Sequence, residues 1–115
     1  MAERTSDLSY APRILIVDDE REVRDFFKQA LSEDGYYVTA VGTARQGLNA
    51  LGDGEFQVVV LDLSLPDGDG LEVVRQIRGE HPNLSILAIS GFNGREHETL
   101  RLLRVLSAIR ILCAT

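Results

Sequence analysis

The sequence is poor in several residue types, and each scarcity excludes something. It has 115 residues, no tryptophan, one cysteine, one methionine and three prolines. A lone Cys113 forbids an internal disulfide and a cysteine-based zinc cluster, and it suits a reducing compartment. No apolar run approaches the roughly 18 residues that span a bilayer, and the opening "MAERTSDLSYAP" lacks the hydrophobic core of a secretory signal. The expectation is a cytoplasmic chain with no membrane partner. Cations are scarce as well: 12 Lys and Arg stand against 18 Asp and Glu, for a net charge of −6 and a pI near 4.8. Phosphate backbones demand clustered basic side chains, so no nucleic-acid surface is expected here and a cation is the better-matched ligand.

What is present is a folding sequence. With 44% apolar and 26% charged residues the chain can bury a core, and its length allows one domain. Residues 1–12 are polar up to Pro12 and read as a loosely held tail; the domain runs from 13 to 115.

Two periodicities then alternate. "RILIV" (13–17) is a short branched run ending in Asp18, Asp19 and Glu20, the pattern of a buried strand with an acidic mouth. Apolar residues at 23, 26, 27, 30 and 31 follow at helical spacing, with Gly35 as the stop. "YYVTAV" (36–41) predicts a second strand, and Thr43 caps a second helix through Leu48 and Leu51. "FQVVVL" is the third strand, "GLEVVRQIRG" the third helix and "LSILAIS" (84–90) the fourth strand. A leucine stripe at 100, 103 and 106 marks a fourth helix, and "AIRILC" (108–113) predicts a fifth strand. Strands that alternate with helices through short links imply βαβ crossovers and a parallel sheet covered on both faces.

Sheets of this kind bind ligands outside the carboxyl ends of their strands. Asp18, Asp19, Asp62 and Ser90 each stand at such an end and are expected to converge. Carboxylates gathered in one pocket repel each other, and a hard divalent cation offsets that repulsion. Mg²⁺ takes carboxylates, carbonyls, waters and phosphate oxygens, and a carboxylate beside it can attack phosphorus to form an aspartyl phosphate.

"ILIVDDE" (14–20), "VVVLDLSLPDGDGLEVVRQIR" (58–78) and "LAISG" (87–91), in this order, resemble the receiver domains of bacterial two-component response regulators. The resemblance covers residues 13 to about 113. It implies a three-layer αβα sandwich on a five-stranded parallel sheet of order 2-1-3-4-5, the flavodoxin-like arrangement. It also implies roles. Asp62 would be the phosphoacceptor and a Mg²⁺ ligand, Asp19 a direct Mg²⁺ ligand, Asp18 a ligand through water, and Ser64 the donor of a backbone carbonyl to the metal. Ser90 would hydrogen-bond the phosphoryl oxygen and move on activation, with Gly91 beside it, while Pro66 and Gly70 shape the turn after the acceptor. The phosphoryl donor would be a sensor histidine kinase, a phosphotransfer protein or a small phosphodonor. The only enzymatic activity implied is self-phosphotransfer and slow autodephosphorylation, with output through partner proteins.

Departures from the family pattern are equally specific. The family ends its fifth strand on a lysine, usually followed by proline; in register with "AIRILCAT" those places hold Ala114 and Thr115, and the switch aromatic falls on Ile111. Arg110 lies too early to substitute, and the only lysine, Lys28, is on the first helix. The sequence also stops before a fifth helix, which reads as a truncated receiver. That would bare apolar surface on the sheet and first helix and favour a homodimer. The alternative function is a phosphorylation-independent pseudo-receiver, a protein-interaction module. His81 reads as a loop residue, His97 and Arg101 with Arg104 as solvated helix residues, and Cys113 as a buried small residue. "DGDG" (67–70) lacks the spaced acids of a calcium loop.

Overall fold

The computed structural model describes residues 11–90 and 98–114. Strands β1 (Arg13–Val17), β2 (Tyr37–Val41), β3 (Val58–Asp62) and β4 (Ser85–Ile89) alternate with helices α1 (Arg21–Glu33), α2 (Ala44–Asp53), α3 (Gly70–Glu80) and α4 (Glu98–Ala114). The strands form one parallel sheet of order β2-β1-β3-β4. Central β1 and β3 are buried along almost their whole length, while the outer strands are only partly covered. That is why "ILIV" and "VVVL" read as unbroken apolar runs: each of their faces meets a helical layer.

Two cores result. Ile14, Ile16, Val58 and Val60 point to one side and meet Val23, Phe27 and Leu31 of α1 with Leu102, Leu106 and Ile109 of α4. Leu15, Val17, Val59 and Leu61 point to the other and meet Ala44 and Leu51 of α2 with Val73 and Ile77 of α3. The helix ends follow local chemistry. Gly35, at φ +92°, lets its own amide reach the Ser32 carbonyl and the Tyr36 amide reach that of Leu31, so α1 closes where the sequence places its stop. Thr43 Oγ1 accepts from the Gln46 amide at 3.1 Å, the cap expected of it.

Three expectations fail at the end of the chain. Residues 108–113 are not a fifth strand but the last turns of α4, and among the described residues the sheet has four strands. No glycine or proline interrupts 98–114, and Leu102, Leu106 and Ile109, at i, i+4 and i+7, continue one helical seam through the supposed strand. The last element is therefore a helix, and it covers the face expected to be bare: α4 lies with α1 on that side of the sheet. The buried seam also differs from the expected one, for Leu106 is buried while Leu100 and Leu103 are exposed. Most of the polar tail, Gly91, His97 and Thr115 lie outside the described residues.

Candidate functional site

Parallel pairing puts the acids together. Val17 of β1 is in register with Leu61 of β3, so the next residue of each strand, Asp18 and Asp62, emerges at the same sheet end. Carboxylate oxygens of Asp18, Asp19 and Asp62 lie within 4.8 Å of one another. Asp18 is 0% exposed and Asp62 6%, whereas Asp19 is open to solvent.

Each buried acid is held by short contacts. The Asp18 amide donates to the Val41 carbonyl at 3.0 Å, its carbonyl accepts from Arg24 Nη1 at 2.9 Å, and its Oδ1 accepts from the Glu20 amide at 2.8 Å. Asp62 Oδ1 accepts from both the amide and the hydroxyl of Ser64, at 2.9 and 2.7 Å. Asp18 Oδ2 is buried and accepts no hydrogen bond. Burial raises the Asp18 pKa to about 6, against the lowering by the Glu20 amide, and the charges of Asp62, Glu20 and Asp19 push it further up.

A buried carboxylate oxygen without a partner is costly, and it marks where a cation would go. Oxygen ligands about 2.1 Å from Mg²⁺ stand at most about 4.2 Å apart, so atoms already within 4.8 Å need only a small inward movement. The donor set is entirely hard oxygen, and exposed Asp19 leaves one side open to the waters that Mg²⁺ keeps. The residues fit a hard divalent cation.

The loop after β3 is pinned by a residue to which the sequence reading assigns no role. Asp67 accepts from the amides of Ala44 and Arg45, at 2.9 and 3.2 Å, and these two bonds hold its carboxyl below the usual range. The loop is thus tied to the start of α2. Asp69 accepts from the Leu71 amide at 3.1 Å and caps α3. Of the two acids of "DGDG", Asp69 caps the helix that follows it, which its position just before a helical run could have signalled. At Gly70 an added Cβ would stand 2.6 Å from the Leu63 carbonyl, so only glycine lets α3 approach the residue after the acceptor.

The remaining candidates are spread more widely. Ser90 follows β4 at the same sheet end and is exposed; Ser64 joins the acids through its hydroxyl, a contact not expected from sequence. Pro66 is exposed in the pinned loop. Lys28 is exposed two turns along α1 from the acids, and Ala114 sits at the far end of α4. His81 is half-buried at the end of α3, where its amide donates to the Ile77 carbonyl. Burial pushes the half-buried Cys113 thiol up, away from reactivity.

Comparison with known proteins agrees with this geometry. Residues 14–108 match the response regulator receiver domain. The chain belongs to that family. This receiver is 41% identical over 78 residues to the response regulator MprA of Mycolicibacterium vanbaalenii, a match covering 68% of this chain and 34% of that protein, so the chain spans about a third of its relative's length. Its fold is similar to that of a CheY-like receiver domain protein from Methanospirillum hungatei, with a TM-score of 0.77 and 26% identity over 90% of this chain and 94% of that one. It is also similar to the response regulator TrrA of Thermotoga maritima, solved in complex with Mg²⁺-BeF, with a TM-score of 0.65 and 30% identity over 76% of this chain and 75% of that one. A complex of the histidine kinase ThkA with TrrA gives a similar match. The receiver is a two-component signalling domain of flavodoxin-like α/β architecture. No helix among its described residues is long and apolar enough to cross a membrane.

Proposed function

We propose that Asp62 accepts a phosphoryl group from a phosphohistidine of a sensor kinase or phosphotransfer protein, or from a small phosphodonor, in a Mg²⁺-dependent reaction in the cytoplasm. Ser64 holds Oδ1 of Asp62, and among the described residues Oδ2 accepts nothing. Oδ2 is therefore the nucleophile. As its bond to phosphorus forms, the bond from phosphorus to the histidine nitrogen breaks and that nitrogen keeps the electron pair. When bound, the cation offsets the negative charge of the carboxylates and of the phosphoryl oxygens. Asp19 and Asp62 would hold it directly, Asp18 through water, and the Ser64 carbonyl would complete the protein's share. Ser90 supplies a hydroxyl to a phosphoryl oxygen.

The buried, unpartnered Asp18 Oδ2 beside Asp62 is the observation that carries this reading. One contrary observation favours a second: the charges of Asp62, Glu20 and Asp19 all push the Asp18 pKa up, and the only lysine of the sequence is away on α1. A phosphorylation-independent interaction module would need no cationic clamp. Intact mass after incubation with Mg²⁺ and a small phosphodonor separates the two. A gain of about 80 Da on the natural protein and none on Asp62→Asn supports phosphoacceptance. No gain, with Mg²⁺ shown to bind, leaves the interaction module.

A further inference from the structure

Three amides open α2, and they are satisfied from two directions. Thr43, the residue before the helix, takes the Gln46 amide at 3.1 Å. The amides of Ala44 and Arg45 go instead to Asp67, 23 and 22 residues further along the chain, one to each carboxylate oxygen at 2.9 and 3.2 Å. An aspartate suits this place. It offers two acceptors to two neighbouring donors, and its charge is favoured at the positive end of the helix. An asparagine would turn a donor toward one of the two amides.

The acceptor side of the site needs such a fixture. Asp18 and Asp62 stand at the ends of paired strands, so the sheet itself sets their separation. Ser64 lies in the loop beyond β3, and the sheet does not place it. Yet Ser64 carries the amide and hydroxyl that hold Asp62 Oδ1, together with the carbonyl proposed for the cation. Helix α2 is in turn seated on the strand that leads to Asp18. At Gly47 an added Cβ would stand 2.9 Å from Val17 Cγ2, and Val17 is the residue before Asp18. At Gly68, next to Asp67, an added Cβ would stand 3.7 Å from the Ala44 Cβ, so the loop runs close over the first residue of α2. Contacts therefore lead from Ser64 along the loop to Asp67, into the first turns of α2, and on to Val17 and Asp18.

We propose that Asp67 is a positioning residue of the phosphoacceptor site: by pinning the β3–α3 loop to α2 it sets where Ser64 stands relative to Asp18 and Asp62. This role rests on reading the acids as a cation-assisted phosphoacceptor site, and it adds a residue that touches neither cation nor phosphoryl group. Asp67 is exposed, and buried Leu65 keeps the loop on the core, so a variant at 67 should fold.

Thr43→Ala separates positioning from capping, because it uncaps the same helix without releasing the loop. Two readouts are needed on the full chain: calorimetric titration with Mg²⁺ alone, and hydrogen exchange of the Ser64 amide without metal. Asp67→Ala should speed Ser64 exchange and weaken Mg²⁺ binding roughly tenfold, the low end of the loss when a supporting partner of a metal ligand is removed. Asp67→Asn, which keeps one acceptor, should fall between. Thr43→Ala should leave both readouts at the natural protein's values. Equal results for Asp67→Ala and Thr43→Ala would overturn the role, since Asp67 would then be a helix cap and no more. Weaker Mg²⁺ binding with unchanged Ser64 exchange would overturn it too, because the lost charge alone would account for that. A natural protein that binds no Mg²⁺ would end the cation reading instead, and the Ser64 amide would then decide: faster exchange in Asp67→Ala alone upholds the role, and unchanged exchange removes it.

Discussion

Arg110 Nε lies 2.7 Å from Asp34 Oδ2, joining the last turns of α4 to the residue that ends α1. Only a helical 98–114 laid beside α1 makes this contact; a fifth strand beside β4 would carry Arg110 to the far edge of the sheet. The pair is partly exposed, at 49% and 30% of the two side chains, and partly exposed ion pairs contribute little. Arg110→Ala should therefore destabilise the domain by about 0.5 kcal/mol, seen as a fall in Tm of a few degrees that shrinks with added salt.

Asp18 sets a pH dependence. Its folded pKa, about 6, stands above its ordinary 3.8, so the folded protein holds this proton more tightly than the unfolded chain. Stability from this group is complete below about pH 4 and is lost as pH rises through about 6, on the order of 2–3 kcal/mol in all. Urea melts of the metal-free protein should show this decline, and Asp18→Asn should flatten it. Mg²⁺ should restore stability at neutral pH in the natural protein but not in Asp18→Asn.

Gly70→Ala tests the approach of α3 to the acceptor loop. The new Cβ would fall 2.6 Å from the Leu63 carbonyl and 2.7 Å from the Leu63 Cα, and backbone atoms cannot move aside without shifting the residue next to Asp62. A loss of roughly 1–3 kcal/mol is expected from such overpacking, together with a slower phosphoryl gain in the mass assay. Gly79→Ala is the control, because a Cβ there meets nothing within 4 Å.

The acids were legible in the sequence because parallel strands bring their carboxyl ends to one edge, so Asp18 and Asp62 could be placed together before any coordinates. Ser64 and Asp67 were not, since hydrogen bonds within a loop and across to another helix leave no periodic trace. The end of the chain misled for a different reason. "AIRILC" is branched and apolar, which short strands and buried helix turns share, and length alone arbitrates. Joined to the stretch before it, with no glycine or proline between, it extends a seventeen-residue helix instead.

Two isoleucines separate those readings directly. In a strand Ile109 and Ile111 would share one face and be buried or exposed together. In α4 they are turned about 200° apart, and Ile109 is 0% exposed while Ile111 is 67% exposed. Ile109→Ala should leave a cavity among Leu102, Leu106 and the α1 side chains and cost about 2–4 kcal/mol. Ile111→Ala, at an exposed position, should change stability by less than about 0.5 kcal/mol. Equal losses at the two positions would return residues 108–113 to a strand and remove the helix from the α1 face.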